Sequence, residues 1–222
     1  MNADLLIFDM DGVLVDSELL ANTVFAAHLR PYGLHWSPEE TMANLSGLSL
    51  PDCMVRLRER HGVTLPPDFI DTLQAETFQR LRVSLLPIPH VRAALTALPQ
   101  PRCLASSSEP AKIELSLSVT DLGGFFAPEH RFSAHMVPRG KPHPDLFLHA
   151  AARCGADPGR CIVIEDSPYG ARAAAAAGMR ALGFALGRKD GGQALTEAGA
   201  IVFSDMRSLP AMVASVSRLL PQ

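Results

Sequence analysis

The sequence contains no long uninterrupted apolar segment, although 47% of its 222 residues are hydrophobic. A membrane-spanning helix needs roughly 20 consecutive apolar residues, so we expect none here. The N-terminus also lacks the basic stretch and small-residue cleavage site of a secretion signal, and we therefore expect a cytoplasmic protein. A chain of this length can bury a sizeable core, as one domain or as a domain with an insertion.

Cysteine and lysine are both scarce. The four cysteines show none of the close spacings of metal sites, and Cys103 and Cys161 lie in apolar runs, which favours buried free thiols. Three lysines accompany 17 arginines, and residues 1–111 contain no lysine. The net charge of −3 provides no electrostatic basis for binding nucleic acid or a membrane surface.

Strand and helix patterns alternate in the second half of the chain. A first apolar strand candidate lies at residues 5–8, and the second half of the chain adds candidates at 102–106, 161–165, 181–184 and 200–203. Helical patterns lie at about 109–119, 143–154, 168–177, 193–198 and 207–219. This alternation predicts a three-layer α/β fold, in which helices cover both faces of a mostly parallel sheet.

Residues 16–83 interrupt this alternation. Their pattern is helical, and helix starts are marked by Ser37-Pro38 and by Pro66-Pro67-Asp68. No convincing strand lies among them, so we expect a small all-helical insertion after the first strand. The expected domains are a core of residues 1–15 and 84–222, and a helical domain of residues 16–83.

Polar side chains recur along the core in a consistent order. They are Asp9 with Asp11, Ser106 with Ser107, Lys141, and Glu165 with Asp166. Each alone has a simpler explanation, as a turn residue, a helix cap or a solvated surface charge. Because we expect all four groups at consecutive strand ends, which meet at one edge of a parallel sheet, the sequence predicts a single site.

These residue types suit phosphoryl transfer. A carboxylate can attack phosphorus and form an aspartyl-phosphate. Charge repulsion opposes that attack, because like unit charges about 4 Å apart cost about 4 kcal/mol at an effective dielectric of 20. Mg²⁺ would offset the repulsion, since it binds carboxylate and carbonyl oxygens and needs few protein ligands. Lys141 would add a compact positive charge.

The motifs resemble those of the haloacid dehalogenase-like superfamily of phosphohydrolases. The resemblance covers about residues 4–185 and rests on residues 9–18, 140–144 and 165–170. It implies a Rossmann-like core with a small helical cap, close to sugar-phosphate phosphatases and β-phosphoglucomutase-like proteins. The implied activity is Mg²⁺-dependent hydrolysis of a small phosphorylated metabolite, a sugar or sugar-acid phosphate.

The resemblance also implies a role for each catalytic residue. Asp9 would attack phosphorus, and Asp11 would protonate the leaving oxygen and then deprotonate the attacking water. Ser106, Ser107 and Lys141 would hold the phosphoryl oxygens.

The same resemblance implies the metal ligands. Mg²⁺ would be bound by Asp9, by the backbone carbonyl of Asp11 and by Asp166. Glu165 would lie nearby or bind through a water molecule.

Other branches of the superfamily fit the sequence less well. Asp11 argues against dehalogenation, because cleavage of a carbon–halogen bond needs no proton on the leaving group. The absence of lysine from residues 1–111 excludes the cap lysine that forms a Schiff base in phosphonoacetaldehyde hydrolysis.

The cap must recognise the remainder of the substrate, and Ser46 and Gly47 are our candidates for that contact. Ala21 and Leu50 stand where the mutases usually carry a histidine and a basic residue. These departures favour hydrolysis over phosphomutation. A sugar phosphomutase and a catalytically idle binding module stay open as alternatives, and no feature of the sequence indicates an oligomeric state.

Overall fold

The computed structural model describes residues 3–45, 48, 50–186 and 192–221. The chain separates into two compact units, which we call the sheet unit (Met1–Val15 and Leu86–Gln222) and the helical unit (Asp16–Leu85). The sequence predicts that the helical domain ends at residue 83. In the structure, the last helix of the helical unit ends at Ser84.

In the described part of the chain, six strands form one parallel sheet in the order β3-β2-β1-β4-β5-β6. Their bounds are β1 Leu5–Phe8, β2 Arg102–Ser106, β3 Arg131–Ser133, β4 Cys161–Glu165, β5 Arg180–Phe184 and β6 Ile201–Phe203. Five of the six confirm the predicted strands to within one residue. The strand order reverses between β1 and β4, and in open parallel sheets the crevice beyond such a reversal is where ligands bind.

The pattern analysis missed the edge strand β3. It has three residues, and only Phe132 among them is apolar, so neither an apolar run nor an alternation marks it. It pairs with β2 through Leu104 opposite Arg131 and Ala105 opposite Phe132. The edge strand matters for the site, because it places Ser133 beside the loop that follows β2.

Helices cover the sheet and bury its apolar side chains. Those of the sheet unit are α5 Val91–Ala97, α6 Pro110–Val119, α7 Asp145–Arg153, α8 Pro168–Ala176, α9 Gln193–Glu197 and α10 Leu209–Ser217. Along β1, Leu5 and Ile7 join one core cluster with residues of α7 and α8. Phe8, which points the other way because side chains alternate along a strand, meets Phe126 edge-on at 5.8 Å. The short α5, which the pattern also missed, follows the segment that returns from the helical unit.

In the helical unit, the described residues form four α-helices around a core of their own. They are α1 Glu18–Leu29, α2 Pro38–Leu45, α3 Leu50–His61 and α4 Phe69–Ser84. The buried residues of that core are Val24, Phe25, Leu29, Leu45, Cys53, Leu57, Phe69 and Leu73. The predicted start of α2 is confirmed, since Ser37 and Glu40 exchange hydrogen bonds between backbone N–H groups and side chains at 2.7 and 3.1 Å.

Two further expectations concern cysteine and membranes. Cys103 and Cys161 are buried free thiols, as predicted. Among the residues that the structure describes, every helix is too short or too polar to cross a membrane.

Candidate active site

Asp9 follows β1 at the carboxyl edge of the sheet. Its N–H donates to the carbonyl of Ile164 at 2.9 Å, which extends the pairing with β4 by one residue. The residue is only 7% exposed, and its Oδ1 accepts a hydrogen bond from Lys141 Nζ at 2.6 Å. The backbone of one strand and the cation of another segment therefore fix the carboxylate of Asp9.

Lys141 lies in the segment between β3 and α7, ahead of the helix, and not at the end of β3 as the expectation of consecutive strand ends implied. After β3 the chain first forms a short 3-10 turn, Ala134–Met136, and a loop then carries the lysine back to the site. Its Nζ donates to Glu165 Oε1 at 2.7 Å and to the carbonyl of Ala105 at 3.2 Å. The same atom lies 5.0 Å from the centre of the Phe147 ring.

In this cluster one cation, Lys141, pairs with two carboxylates, those of Asp9 and Glu165. Burial raises the pKa of Asp9 to about 7; the charge of Lys141 opposes this shift, and the carboxylates of Glu165 and Asp11 reinforce it. Burial alone would lower the pKa of Lys141, but the charges of Asp9 and Glu165 outweigh it and raise that pKa above its usual value. The cluster therefore favours an additional cation.

Glu165 holds the site together from the end of β4. Its Oε2 accepts from the N–H of Ser167 at 2.7 Å and from the Ser167 hydroxyl at 2.8 Å, while Oε1 accepts from Lys141. Ser167 Oγ in turn accepts from the N–H of Gly170 at 3.0 Å and caps α8. Because both oxygens of Glu165 already accept from protein donors, this side chain is better suited to anchoring Lys141 than to binding a metal directly.

Three acidic residues form a group that could hold a metal ion. Asp9, Glu165 and Asp166 can each offer one oxygen, and these atoms lie within 4.8 Å of one another. Asp166 comes close to the backbone at Gly12, where an added Cβ would lie 2.2 Å from Asp166 Oδ2. Gly12 also has a φ of +77°, a conformation that residues with a side chain rarely adopt. The oxygen-only donor set fits the preferences of Mg²⁺.

Asp11 is held by different partners from those of Asp9. Lys112 Nζ donates to Asp11 Oδ1 at 2.9 Å, and Ser108 Oγ donates to Asp11 Oδ2 at 2.7 Å. Each of the two acids therefore has its own lysine, Lys141 for Asp9 and Lys112 for Asp11. The sequence analysis missed Ser108 and Lys112, although the scarcity of lysine that drew attention to Lys141 applies equally to Lys112.

The remaining predicted site residues are the serines. Ser106 is buried at the end of β2, and its Oγ accepts from the N–H of Ser108 at 3.1 Å. Ser107 is exposed in the same turn. Ser46 and Gly47 lie outside the described residues.

Residues 3–178 match the model of the haloacid dehalogenase-like hydrolases. The chain belongs to that family. The hydrolase is 30% identical to 6-phosphogluconate phosphatase of Escherichia coli over 178 residues, which cover 80% of each chain. The family and the Rossmann-like fold predicted from the sequence are therefore confirmed.

Solved structures agree with this assignment. A conserved haloacid dehalogenase-like protein of unknown function from Agrobacterium tumefaciens is 37% identical and superposes with a TM-score of 0.90, covering 96% of this chain and 99% of that one. A haloacid dehalogenase family hydrolase from Deinococcus radiodurans, with bound phosphate and sodium, is 34% identical with a TM-score of 0.83, covering 98% and 97%. The hydrolase thus resembles these proteins along nearly its whole length.

Proposed function

We propose that this hydrolase is a Mg²⁺-dependent phosphatase that cleaves a small phosphorylated metabolite, a sugar or sugar-acid phosphate. The observation that carries the proposal is the buried carboxylate of Asp9 beside the ammonium of Lys141, at the sheet edge where the strand order reverses. The similarity to a 6-phosphogluconate phosphatase supports the substrate class. The phosphate bound to the similar Deinococcus hydrolase supports a site for the phosphoryl group.

The proposed reaction has two steps. A carboxylate oxygen of Asp9 attacks phosphorus, the bond to the leaving oxygen breaks, and Asp11 gives its proton to that oxygen. Water then attacks the aspartyl-phosphate, Asp11 takes a proton from the water, and the bond between phosphorus and Asp9 breaks. Inorganic phosphate is released, and both acids return to their starting states. Lys141, Ser106 and Ser107 hold the phosphoryl oxygens throughout.

The residues at the end of β1 and β4 fit a Mg²⁺ site. Asp9, Asp166 and the backbone carbonyl of Asp11 would hold the ion, and Glu165 would act through Lys141 or through a water molecule. When bound, the ion would offset the repulsion between Asp9 and the phosphate dianion.

We assign the choice of substrate to the helical unit, because the residues of the sheet edge engage only the phosphoryl group and the reacting oxygens. The sequence-based bounds of this cap domain, residues 16–83, stay part of the proposal, and Ser46 and Gly47 are its candidate substrate contacts. Ala21 and Leu50, where mutases usually carry a histidine and a basic residue, favour hydrolysis over phosphomutation.

Phosphate release from p-nitrophenyl phosphate and from 6-phosphogluconate, with and without Mg²⁺, tests the proposal. We expect metal-dependent release of phosphate, and we expect Asp9→Asn to abolish it while leaving the circular dichroism spectrum unchanged, because an amide cannot act as the nucleophile. Asp205→Asn is the matched control, since Asp205 contacts Arg207 near the C-terminus and its substitution should preserve activity.

Three results would contradict the proposal. Substantial activity of Asp9→Asn would exclude the covalent mechanism. Conversion of a sugar phosphate into an isomer without phosphate release would indicate a mutase. A folded protein without metal-dependent release from any phosphate ester would indicate an idle binding module.

A further inference from the structure

The carboxylate of Asp11 has a donor on each of its two oxygens. Lys112 supplies an ammonium to Oδ1 at 2.9 Å, and Ser108 supplies a hydroxyl to Oδ2 at 2.7 Å. Both side chains of the ion pair are 24% exposed, so Asp11 stays partly accessible to solvent while these contacts hold it. A donor on each oxygen restricts rotation of the carboxylate about its Cβ–Cγ bond, and therefore sets the direction in which its oxygens point.

Hydrogen bonds within the sheet unit hold the backbone that carries the two donors, Ser108 and Lys112. The N–H of Ser108 donates to Ser106 Oγ at 3.1 Å, and the carbonyl of Ser108 accepts from Ser133 Oγ at 2.7 Å. Ser133 is fully buried on the edge strand β3. Lys112 lies in the first turn of α6, where its N–H donates to the carbonyl of Glu109 at 3.1 Å. The loop that follows β2 and the first turn of α6 therefore bring Ser108 and Lys112 to Asp11 as one continuous segment.

We propose that Lys112, assisted by Ser108, is a positioning residue that aims the carboxyl group of Asp11 at the leaving oxygen of the substrate. This inference rests on the proposed phosphatase function and deepens it. Proton transfer in a transition state requires the acid to lie within hydrogen-bond reach of the accepting atom. A hydrogen bond from a charged donor holds a carboxyl group more firmly than one from a neutral donor, so Lys112 contributes more than Ser108.

The proposal predicts a dependence on the leaving group. An alcohol that is strongly acidic departs as its anion and needs little help from Asp11, whereas a weakly acidic one needs the proton. p-Nitrophenyl phosphate and phenyl phosphate differ by one nitro group and so provide a matched pair, with the nitrophenol as the more acidic leaving group. The value of kcat/KM reports the steps up to formation of the aspartyl-phosphate, which include departure of the alcohol.

The experiment measures kcat/KM for both esters with Lys112→Met, Lys112→Arg and Ser108→Ala in the presence of Mg²⁺. We expect Lys112→Met to lower kcat/KM for phenyl phosphate by about 100-fold. For p-nitrophenyl phosphate we expect a loss of about tenfold or less, because its leaving group needs little protonation. Lys112→Arg should restore most of the lost activity, because it returns a cation to Asp11. Ser108→Ala should change the ratio in the same direction by a smaller factor.

Glu114→Gln is the matched control on the same helix. It removes an ion pair with Arg131, whose Nη1 lies 2.5 Å from Glu114 Oε2, without touching Asp11. We expect it to leave the ratio of the two kcat/KM values unchanged. Far-ultraviolet circular dichroism identifies any variant that fails to fold, and Lys112→Gln serves in place of Lys112→Met in that case.

Two outcomes overturn the inference while the phosphatase function stands. One is an equal loss of kcat/KM on both esters, which would make Lys112 a binding or structural residue. The other is wild-type kcat/KM on both esters in Lys112→Met. If the wild-type protein cleaves neither ester, the proposed function fails and this inference fails with it.

Discussion

At the scale of single residues, the site depends on a glycine that leaves room for a neighbouring side chain. An added Cβ at Gly170 would lie 1.8 Å from Glu165 Oε1, the atom that accepts from Lys141. No small adjustment relieves an overlap of that size, because Glu165 is almost fully buried and both of its oxygens are engaged. The hydrogen at Gly170 thus allows α8 to approach the end of β4 and hold the lysine anchor in place.

We therefore expect Gly170→Ala to displace Glu165 and to lose most of the phosphatase activity. Overpacking of this kind costs typically about 1–3 kcal/mol, so the free energy of unfolding should fall by a similar amount. Urea unfolding and phosphate release measure the two effects. Gly124→Ala is the control, since an added Cβ there meets no atom within 4 Å. Wild-type activity in Gly170→Ala would refute this role for the glycine.

At the scale of secondary-structure elements, α7 packs against the sheet and beside Lys141. Leu146 and Phe147 lie in the first turns of α7, both fully buried, and they pack in the same core cluster as Ile7 of β1. The Phe147 ring also faces Lys141, whose ammonium gains from the electron-rich face of an aromatic ring. One helix therefore couples the packing of the sheet to the position of the Lys141 ammonium.

Phe147→Ala should affect stability and activity together. Removing a buried phenylalanine side chain costs about 3–5 kcal/mol through lost burial and the remaining cavity. Activity at a temperature where the variant is folded should also fall, because Lys141 loses a supporting surface. Leu148→Ala is the control, since Leu148 is next to Phe147 on the same helix but is 38% exposed. The expected loss of stability without any change in kcat would contradict a role of α7 in supporting Lys141.

At the scale of the whole molecule, the order of the strands decides where the chemistry lies. β1 and β4 are neighbours although more than 150 residues separate them in the chain. The polar segments that follow these strands therefore meet at the reversal of the sheet, where helix crossovers leave a crevice. Asp9, Glu165 and Asp166 come together there and concentrate negative charge in a protein whose net charge is only −3.

This concentration of charge predicts that Mg²⁺ stabilises the folded protein. A ligand that binds only the native state adds about 2.7 kcal/mol at 100 times its Kd. We expect the melting temperature to rise on addition of MgCl₂, relative to NaCl at equal ionic strength, and to return after chelation. Asp166→Asn should remove the shift, and Asp205→Asn should retain it. A shift that persists in Asp166→Asn would place the ion elsewhere.

Some features could not be predicted because their signals are short or not local. β3 has too few residues for a hydrophobic period, and it becomes a strand only because β2 offers it a free edge. Lys112 looks like an ordinary residue of a helix start until Asp11, 101 positions away, is placed beside it. The close approach of Gly170 to Glu165 depends in the same way on how α8 packs against β4.

The sequence by itself determined the fold class, the central strands and the family, because long apolar runs and closely spaced motifs are properties of neighbouring residues. It also identified the acidic pair of Asp9 and Asp11, together with Lys141. Only the tertiary structure decided which cation serves which acid, with Lys141 beside Asp9 and Lys112 beside Asp11. The physical reason is that ion pairs between distant segments follow from strand order and loop paths, which local patterns do not encode.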